Sequence, residues 1–194
     1  MAYVPKILAF GGSLRVQSFN ARLVQIAAAA ARQAGAEVTV LELRGLPLPV
    51  FDQDLEDRDG LPANARKLKE LFAANDGLMI ASPEYNSSIT AALKNAIDWV
   101  SRQASPQEPS LASFAGKTAA IMSASPGGLG GLRGLVHLRA ILGNIGVLVI
   151  PDQVAIATAH EAFAADGTLK DARKQASVEA IATRLVATIA RLRG

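Results

Sequence analysis

The 194-residue sequence predicts a three-layer α/β fold, a doubly wound parallel sheet with helices on both faces. Three observations predict it. Five short apolar runs of strand length alternate with five segments of helix length, the pattern of βαβ units. The runs are nearly continuous in apolar residues, as in Gly77–Ala81, which suits strands buried on both sides. No repeat, no linker and no second set of such units follows, so residues 1–194 read as one domain.

The elements follow in order. Lys6–Phe10 is the first strand, and it leads through "GGSLRVQSFN", Gly11 to Asn20, into an alanine-rich helix over Ser18–Ala34. Glu37–Glu42 is the second strand. The longest irregular stretch, Arg44 to Asp59, reads as a surface loop ahead of a helix over Pro62–Ala74. Gly77–Ser82 forms the third strand, followed by "SPEYNSS" and a helix over Ile89–Ser101 that Ser87 or Ser88 can cap. Lys117–Ser123 is the fourth strand, followed by "SASPGGLGGLR" and a helix over Leu132–Leu142. Val147–Ile150 is the fifth. The last helix, Asp171–Arg193, repeats Ile181, Leu185, Ile189 and Leu192 on one face of a 3.6-residue period.

Composition narrows the function classes. Half of the residues are apolar and 19% are charged, a soluble globular composition. A net charge of +3 with no run of five Lys or Arg argues against nucleic acid. The absence of cysteine removes disulfides and thiolate chemistry and fits a reducing compartment. Two distant histidines, His137 and His160, argue against a metal centre. The apolar stretch before Gly11 is too short for a signal-peptide core of ~7–15 residues, and no run approaches the ~18 of a membrane span. The expectation is a cytoplasmic protein.

In a doubly wound sheet, ligands bind at the carboxyl ends of the strands near the switch point. The segments after strands one, three and four should therefore converge on one crevice. The first lacks both the G-x-G-x-x-G spacing and the P-loop pattern. The "GKT" at Gly116–Thr118 opens a strand and has Leu111 where a P-loop needs glycine, so it reads as a turn into a strand. In the first segment Gly11 and Gly12 allow a sharp turn, and Ser18 caps the helix, whose free amides and dipole point into the loop. Ser13, Ser18 and Asn20 add neutral donors and Arg15 a charged fork, which together suit one terminal phosphate. The plainer alternative is a capped turn with a solvated arginine. In the second segment Pro83 stiffens the chain, and the loop with polar Glu84, Tyr85 and Asn86 offers backbone donors and acceptors plus one aromatic edge to a flat heterocycle. The third, with Gly127, Gly128, Gly130 and Gly131, lets main chain approach the ring's other edge, or is simply a flexible loop. Leu93, Ile97, Trp99 and Val100 exceed one core-facing stripe, so part of that helix is expected to pack against a partner subunit.

Taken together, "GSLRVQSFN", "SPEYNSSITAALKNAIDW" and "SASPGGLGGLR" resemble the NADPH-dependent FMN reductase family, a flavodoxin-like group that includes bacterial quinone, azo-dye and chromate reductases. The similarity runs from Lys6 to about Pro151 with the same order and spacing. It implies a sheet of order 2-1-3-4-5 and non-covalent FMN. The implied phosphate site is Ser13, Arg15, Ser18 and Asn20, and the implied isoalloxazine site is Pro83, Glu84, Tyr85 and Asn86, with Ser125, Gly127 and Gly128 nearby. "LPLPVFDQDLED", Leu46 to Asp57, resembles a family loop that often borders a neighbouring subunit's site. Leu135 departs from the glutamine that many relatives carry two residues after the arginine matching Arg133. Members are commonly dimers or tetramers, so a homo-oligomer is implied too.

The implied reaction passes a hydride from NADPH or NADH, through FMN, to a quinone, azo, nitro, metal-oxyanion or flavin acceptor, by ping-pong kinetics at one open ring face. The sequence demands no general acid. Tyr85 is the nearest candidate for a proton donor or stacking wall. Arg44, Arg102 and Arg133 could each meet a 2′-phosphate or be solvated. Two rivals are weaker. A flavodoxin-type electron carrier would be acidic and rich in aromatics, against a charge of +3 and 5% aromatics here. A serine hydrolase built on Ser125 and His160 lacks the first glycine of the G-x-S-x-G elbow.

Overall fold

Strands of continuous apolar residues must be covered on both faces, and the chain does this with helices between successive strands and after the last. The computed structural model describes residues 3–194. In chain order the elements are β1 (Lys6–Gly11), α1 (Phe19–Gln33), β2 (Glu37–Glu42), a 3₁₀ turn (Leu43–Gly45), α2 (Gln53–Asp59) and α3 (Ala63–Ala73). Then come β3 (Gly77–Ala81), α4 (Ala91–Ser101), β4 (Thr118–Ala124), α5 (Leu132–Asn144), β5 (Leu148–Ile156), α6 (Ala159–Ala162) and α7 (Ala172–Arg193). All strand pairs are parallel in the order β2-β1-β3-β4-β5, the flavodoxin-like order expected.

Alternation along the strands divides the core. Ile7, Ala9, Met79, Ala120 and Met122 face α1 and α7, while Leu8, Phe10, Leu78, Ile80 and Ile121 face α3, α4 and α5. Each of the larger side chains among these, when fully buried, contributes roughly 1.5–3 kcal/mol. Alanines Ala27, Ala28 and Ala31 on α1 are fully buried, which lets that helix lie close to its neighbours. At the start of β3, Gly77 makes room for α7: a Cβ there would sit 2.4 Å from Ile189 Cδ1.

Several boundaries differ from expectation for identifiable reasons. Neither Ser87 nor Ser88 caps α4. Asn86 and Ser87 have φ of 51° and 66° and form a two-residue turn closed by Tyr85 and Ser88, whose amides and carbonyls pair at 2.9 and 3.0 Å. The chain must complete this turn before it can wind, so Thr90 becomes the cap, its hydroxyl accepting from the Leu93 amide at 3.1 Å. The Arg44–Asp59 stretch is irregular only over residues 46–52, because Asp52 caps α2 by accepting from the Asp54 amide at 2.9 Å. Strand β5 continues past Pro151 to Ile156. The register shifts between Ala119 and Ile121, so the proline falls in a bulge where no ladder donor is needed. Arg139 supports that bulge by donating to the carbonyls of Val149, Ile150 and Pro151 at 3.3, 2.9 and 3.3 Å.

The apolar surplus on α4 needs no partner helix. Leu93, Ile97 and Val100 are buried in the sheet-face core. Trp99 is buried beneath the loop that carries α2, its indole N–H donating to the Pro49 carbonyl at 2.8 Å and its ring edge-on to Phe51 at 5.0 Å. The "GKT" segment is indeed a turn into a strand, with Gly116 at φ 69° and Thr118 opening β4. Lys117 is buried there and donates to the Asn75 carbonyl, and burial holds its ammonium below its ordinary pKa.

Candidate functional site

The carboxyl ends of β1, β3 and β4 are neighbours in the sheet, so the loops that follow them lie about one strand spacing (~4.8 Å) apart. Between them is a cleft lined by Ser13, Arg15, Ser18, Asn20, Pro83, Glu84, Tyr85 and Ser125, together with Phe19, Ala124 and Pro126. Eight of the eleven residues singled out from sequence thus meet in one place. Asn86, Gly127 and Gly128 lie outside the lining, Asn86 in the tight turn and the two glycines on the exposed loop after β4.

At one end the cleft is built for an anion. Ser18 caps α1, its Oγ accepting from the Ala21 amide at 3.3 Å. The first-turn amides ahead of Ala21 precede any carbonyl four residues back, so they point into the loop with the positive end of the helix dipole. The loop passes close beneath α1 only because position 11 is glycine, where a Cβ would sit 3.2 Å from the Ala21 nitrogen. Ser13 Oγ accepts from the Arg15 amide at 3.2 Å and shapes the turn. The Arg15 side chain is exposed, and no carboxylate pairs with it among the described residues.

Asn20 does a different job from the donor expected of it. It is buried, its Nδ2 donates to the Ala124 carbonyl at 2.7 Å, and its Oδ1 accepts from the Ala124 amide at 2.9 Å. Both ends of the amide are engaged in locking α1 to the end of β4. Only its second N–H remains for an anion.

The other end is a main-chain shelf. The Glu84 carboxylate does not reach into the cleft as a free group. Helix α5 begins after Gly131 without a side-chain cap. Glu84 fills that place, accepting from the Gly134 amide at 3.0 Å and from Arg133 Nε and a terminal guanidinium nitrogen at 3.0 and 2.7 Å. Burial is the largest single effect and works against its ionisation. The Gly134 amide, the Arg133 guanidinium and the Arg133 amide together outweigh burial and hold the pKa below the ordinary glutamate value. What Glu84 offers a ligand is therefore its backbone. Tyr85 stands beside it, about half exposed.

Sequence reasoning missed the residues that hold these loops together. The Thr90 hydroxyl donates to the Gly12 carbonyl and ties the first loop to the start of α4. A threonine just ahead of "AALKN" was the available signal. Gly130 and Gly131 are the glycines that the last loop requires. Both have positive φ, and Cβ atoms there would sit 2.7 Å from the Ala157 nitrogen and 1.9 Å from Ser123 Oγ. At Gly128 a Cβ would meet nothing within 4 Å, so the space above it is open. The hydrolase geometry is not formed. Ser125 Oγ takes the Gly127 amide at 3.4 Å, while His160 lies on the surface beside Glu161 at 3.5 Å.

An unpaired arginine at an open helix N-terminus, with an open main-chain shelf next to it, fits FMN, a flat ring carrying one phosphate on a short chain. Comparison with known proteins gives the same answer. The sequence pattern of the NADPH-dependent FMN reductase family matches residues 5–161. An NAD(P)H-dependent FMN reductase of Pseudomonas aeruginosa is 36% identical over 190 residues, 97% of this chain and 97% of its own. A quinone reductase of Escherichia coli K12 is 38% identical over 142 residues, 72% of this chain and 70% of its own. The solved structure of FerB, a flavoenzyme NAD(P)H:(acceptor) oxidoreductase from Paracoccus denitrificans, shares 29% identity and superposes with a TM-score of 0.80 over 97% of this chain and 98% of its own. With three loops meeting in one cleft and a family match over most of its length, the chain belongs to the NADPH-dependent FMN reductases and is an NAD(P)H-dependent flavoenzyme.

Proposed function

We propose that this enzyme reduces quinones and related small acceptors at the expense of NADPH or NADH, with FMN held in the cleft between the loops after β1, β3 and β4. The observation that carries this reading is the convergence of the unpaired Arg15, the open N-terminus of α1 and the Pro83–Tyr85 shelf on one cleft. Quinone reductases among the relatives support the acceptor class.

Arg15, Ser13, Ser18 and the first amides of α1 bind the phosphate. The main chain of Pro83 to Asn86 and the open loop at Gly127 and Gly128 border the ring, and Tyr85 forms a side wall. The Glu84–Arg133 pair and the Asn20–Ala124 pair hold the three loops in fixed relation, so the pocket is preorganised before the cofactor arrives. When bound, FMN would supply the redox chemistry between nicotinamide and acceptor. If the two substrates enter the one cleft in turn, double-reciprocal plots should be parallel. Azo, nitro, metal-oxyanion and free-flavin acceptors fit the same open face.

The enzyme acts as a homo-oligomer, a dimer or tetramer. Support comes from the apolar rim of the site, where Leu14, Val16 and Val136 are more than half exposed. The deciding experiment is an absorbance spectrum of the purified protein followed by steady-state turnover with a quinone. A flavin spectrum with sustained NADPH oxidation is expected. Flavin binding without turnover would instead identify an electron carrier.

A further inference from the structure

Beside the flavin cleft, at the end of the neighbouring strand β5, lies a second cavity of about 300 Å³. That is the lower end of the ~300–1,000 Å³ that small-molecule sites span, enough for a nucleoside but not for a whole dinucleotide. Its floor is apolar, formed by Ile156, Ala157 and Leu169, and Lys170 and Lys174 stand on its rim. Neither lysine has a carboxylate partner among the described residues.

Two acidic residues also border it. Asp171 is committed elsewhere, accepting from the amides of Arg173 and Lys174 at 2.8 and 3.2 Å as the cap of α7. Glu161 is 73% exposed beside His160. The mouth thus carries two lysines without carboxylate partners, with Glu161 as its exposed carboxylate.

The cavity is rigidly coupled to the flavin cleft. Ser125, on the cleft wall, donates its amide to the Ile156 carbonyl at 3.0 Å and accepts at its own carbonyl from the Ala159 amide at 3.1 Å. The two openings lie at the carboxyl ends of neighbouring strands, β4 and β5. At the lip Thr158 has φ 48°, a left-handed conformation that a β-branched residue adopts only under constraint.

We propose that this cavity receives the adenosine 2′-phosphate arm of NADPH, with the adenine on the Ile156–Leu169 floor and the 2′-phosphate between Lys170 and Lys174. The proposal rests on the reductase reading above. It predicts a preference for the phosphorylated nucleotide and assigns it to these two lysines, and not to Arg44, Arg102 or Arg133. Arg102 and Arg133 are already paired, with Glu56 and Glu84 respectively.

The test compares wild type with the Lys170→Ala/Lys174→Ala double variant, both loaded with FMN. KM is measured for NADPH and for NADH, and adenosine 2′,5′-bisphosphate binding is measured by calorimetry without turnover. The ratio of NADPH to NADH preference should fall about tenfold or more, the loss of at least one charge-assisted hydrogen bond. Bisphosphate binding should weaken by a similar factor. Lys67→Ala, an exposed change on α3 across the sheet, should alter neither. Ala157→Trp, which fills the floor, should raise KM for both nucleotides. An unchanged preference with unchanged bisphosphate binding in the double variant would overturn the placement, as would equal losses for NADPH and NADH. Oxidation of neither nucleotide by the FMN-loaded wild type would instead overturn the reductase reading, and this proposal with it.

Discussion

At Arg15 a guanidinium without a carboxylate partner among the described residues stands beside the open N-terminus of α1. If it pairs with the FMN phosphate, Arg15→Ala should weaken FMN binding by roughly 1.5–3 kcal/mol, about 10- to 150-fold in Kd. Riboflavin has the same ring without the phosphate, so its Kd should barely move. Fluorescence titration of both flavins checks this, and equal losses would show that Arg15 shapes the loop instead. A second residue acts through what it lacks. Ser123 Oγ is buried without a hydrogen-bond partner, pressed beneath Gly131. Replacing a buried, unsatisfied hydroxyl with a methyl removes a desolvation cost, so Ser123→Ala should raise stability by about 1 kcal/mol in denaturant melts. A loss of stability would mean that the hydroxyl is partnered in solution.

Among the elements, α5 depends most on a residue outside itself. Gly131 offers no cap, and Glu84 from the preceding βα loop supplies one together with the Arg133 pair. Glu84→Gln should cost about 1 kcal/mol at neutral pH, the usual size of a lost cap. The pH dependence has a definite sign. The carboxyl titrates lower in the folded chain than in the unfolded one, where it is about 4.3. Its contribution is therefore fully present above that unfolded value and is lost as pH falls through the depressed folded value. Melts of wild type and Glu84→Gln should differ at pH 7 and converge well below pH 4. Persistence of the full difference at low pH would show that charge is not the cause.

For the whole molecule, the segment carrying α2 is the cover of α4. Trp99, Phe51, Leu61 and Ala65 form a small separate cluster there, closed by the Trp99–Pro49 hydrogen bond and the Arg102–Glu56 pair at 2.8 Å. Trp99→Ala should cost about 3–5 kcal/mol, the range for truncating a buried aromatic. Light scattering of the variant should show an unchanged oligomeric mass, because this indole faces its own chain. A fall in mass together with stability would place Trp99 at a subunit contact.

Read along the chain, Lys6–Phe10, Gly77–Ala81 and the repeat from Ile181 to Ile189 already determined strands, helices and a doubly wound fold. Apolar periodicity is a local signal, and burial on two faces leaves few alternatives. The three loop motifs likewise determined where the site is, since polar and glycine-rich segments after parallel strands must gather at one edge. Only the tertiary structure decided what each polar side chain does there. Glu84 and Asn20 look like ligand groups in sequence, yet their partners are Gly134, Arg133 and Ala124, between 49 and 104 residues away. The glycines that matter are Gly130 and Gly131, because strand β4 and the chain after β5 crowd those two positions and not Gly127 or Gly128. Hydrogen bonds and close approaches across such separations are set by how layers pack, and no spacing within a motif encodes them.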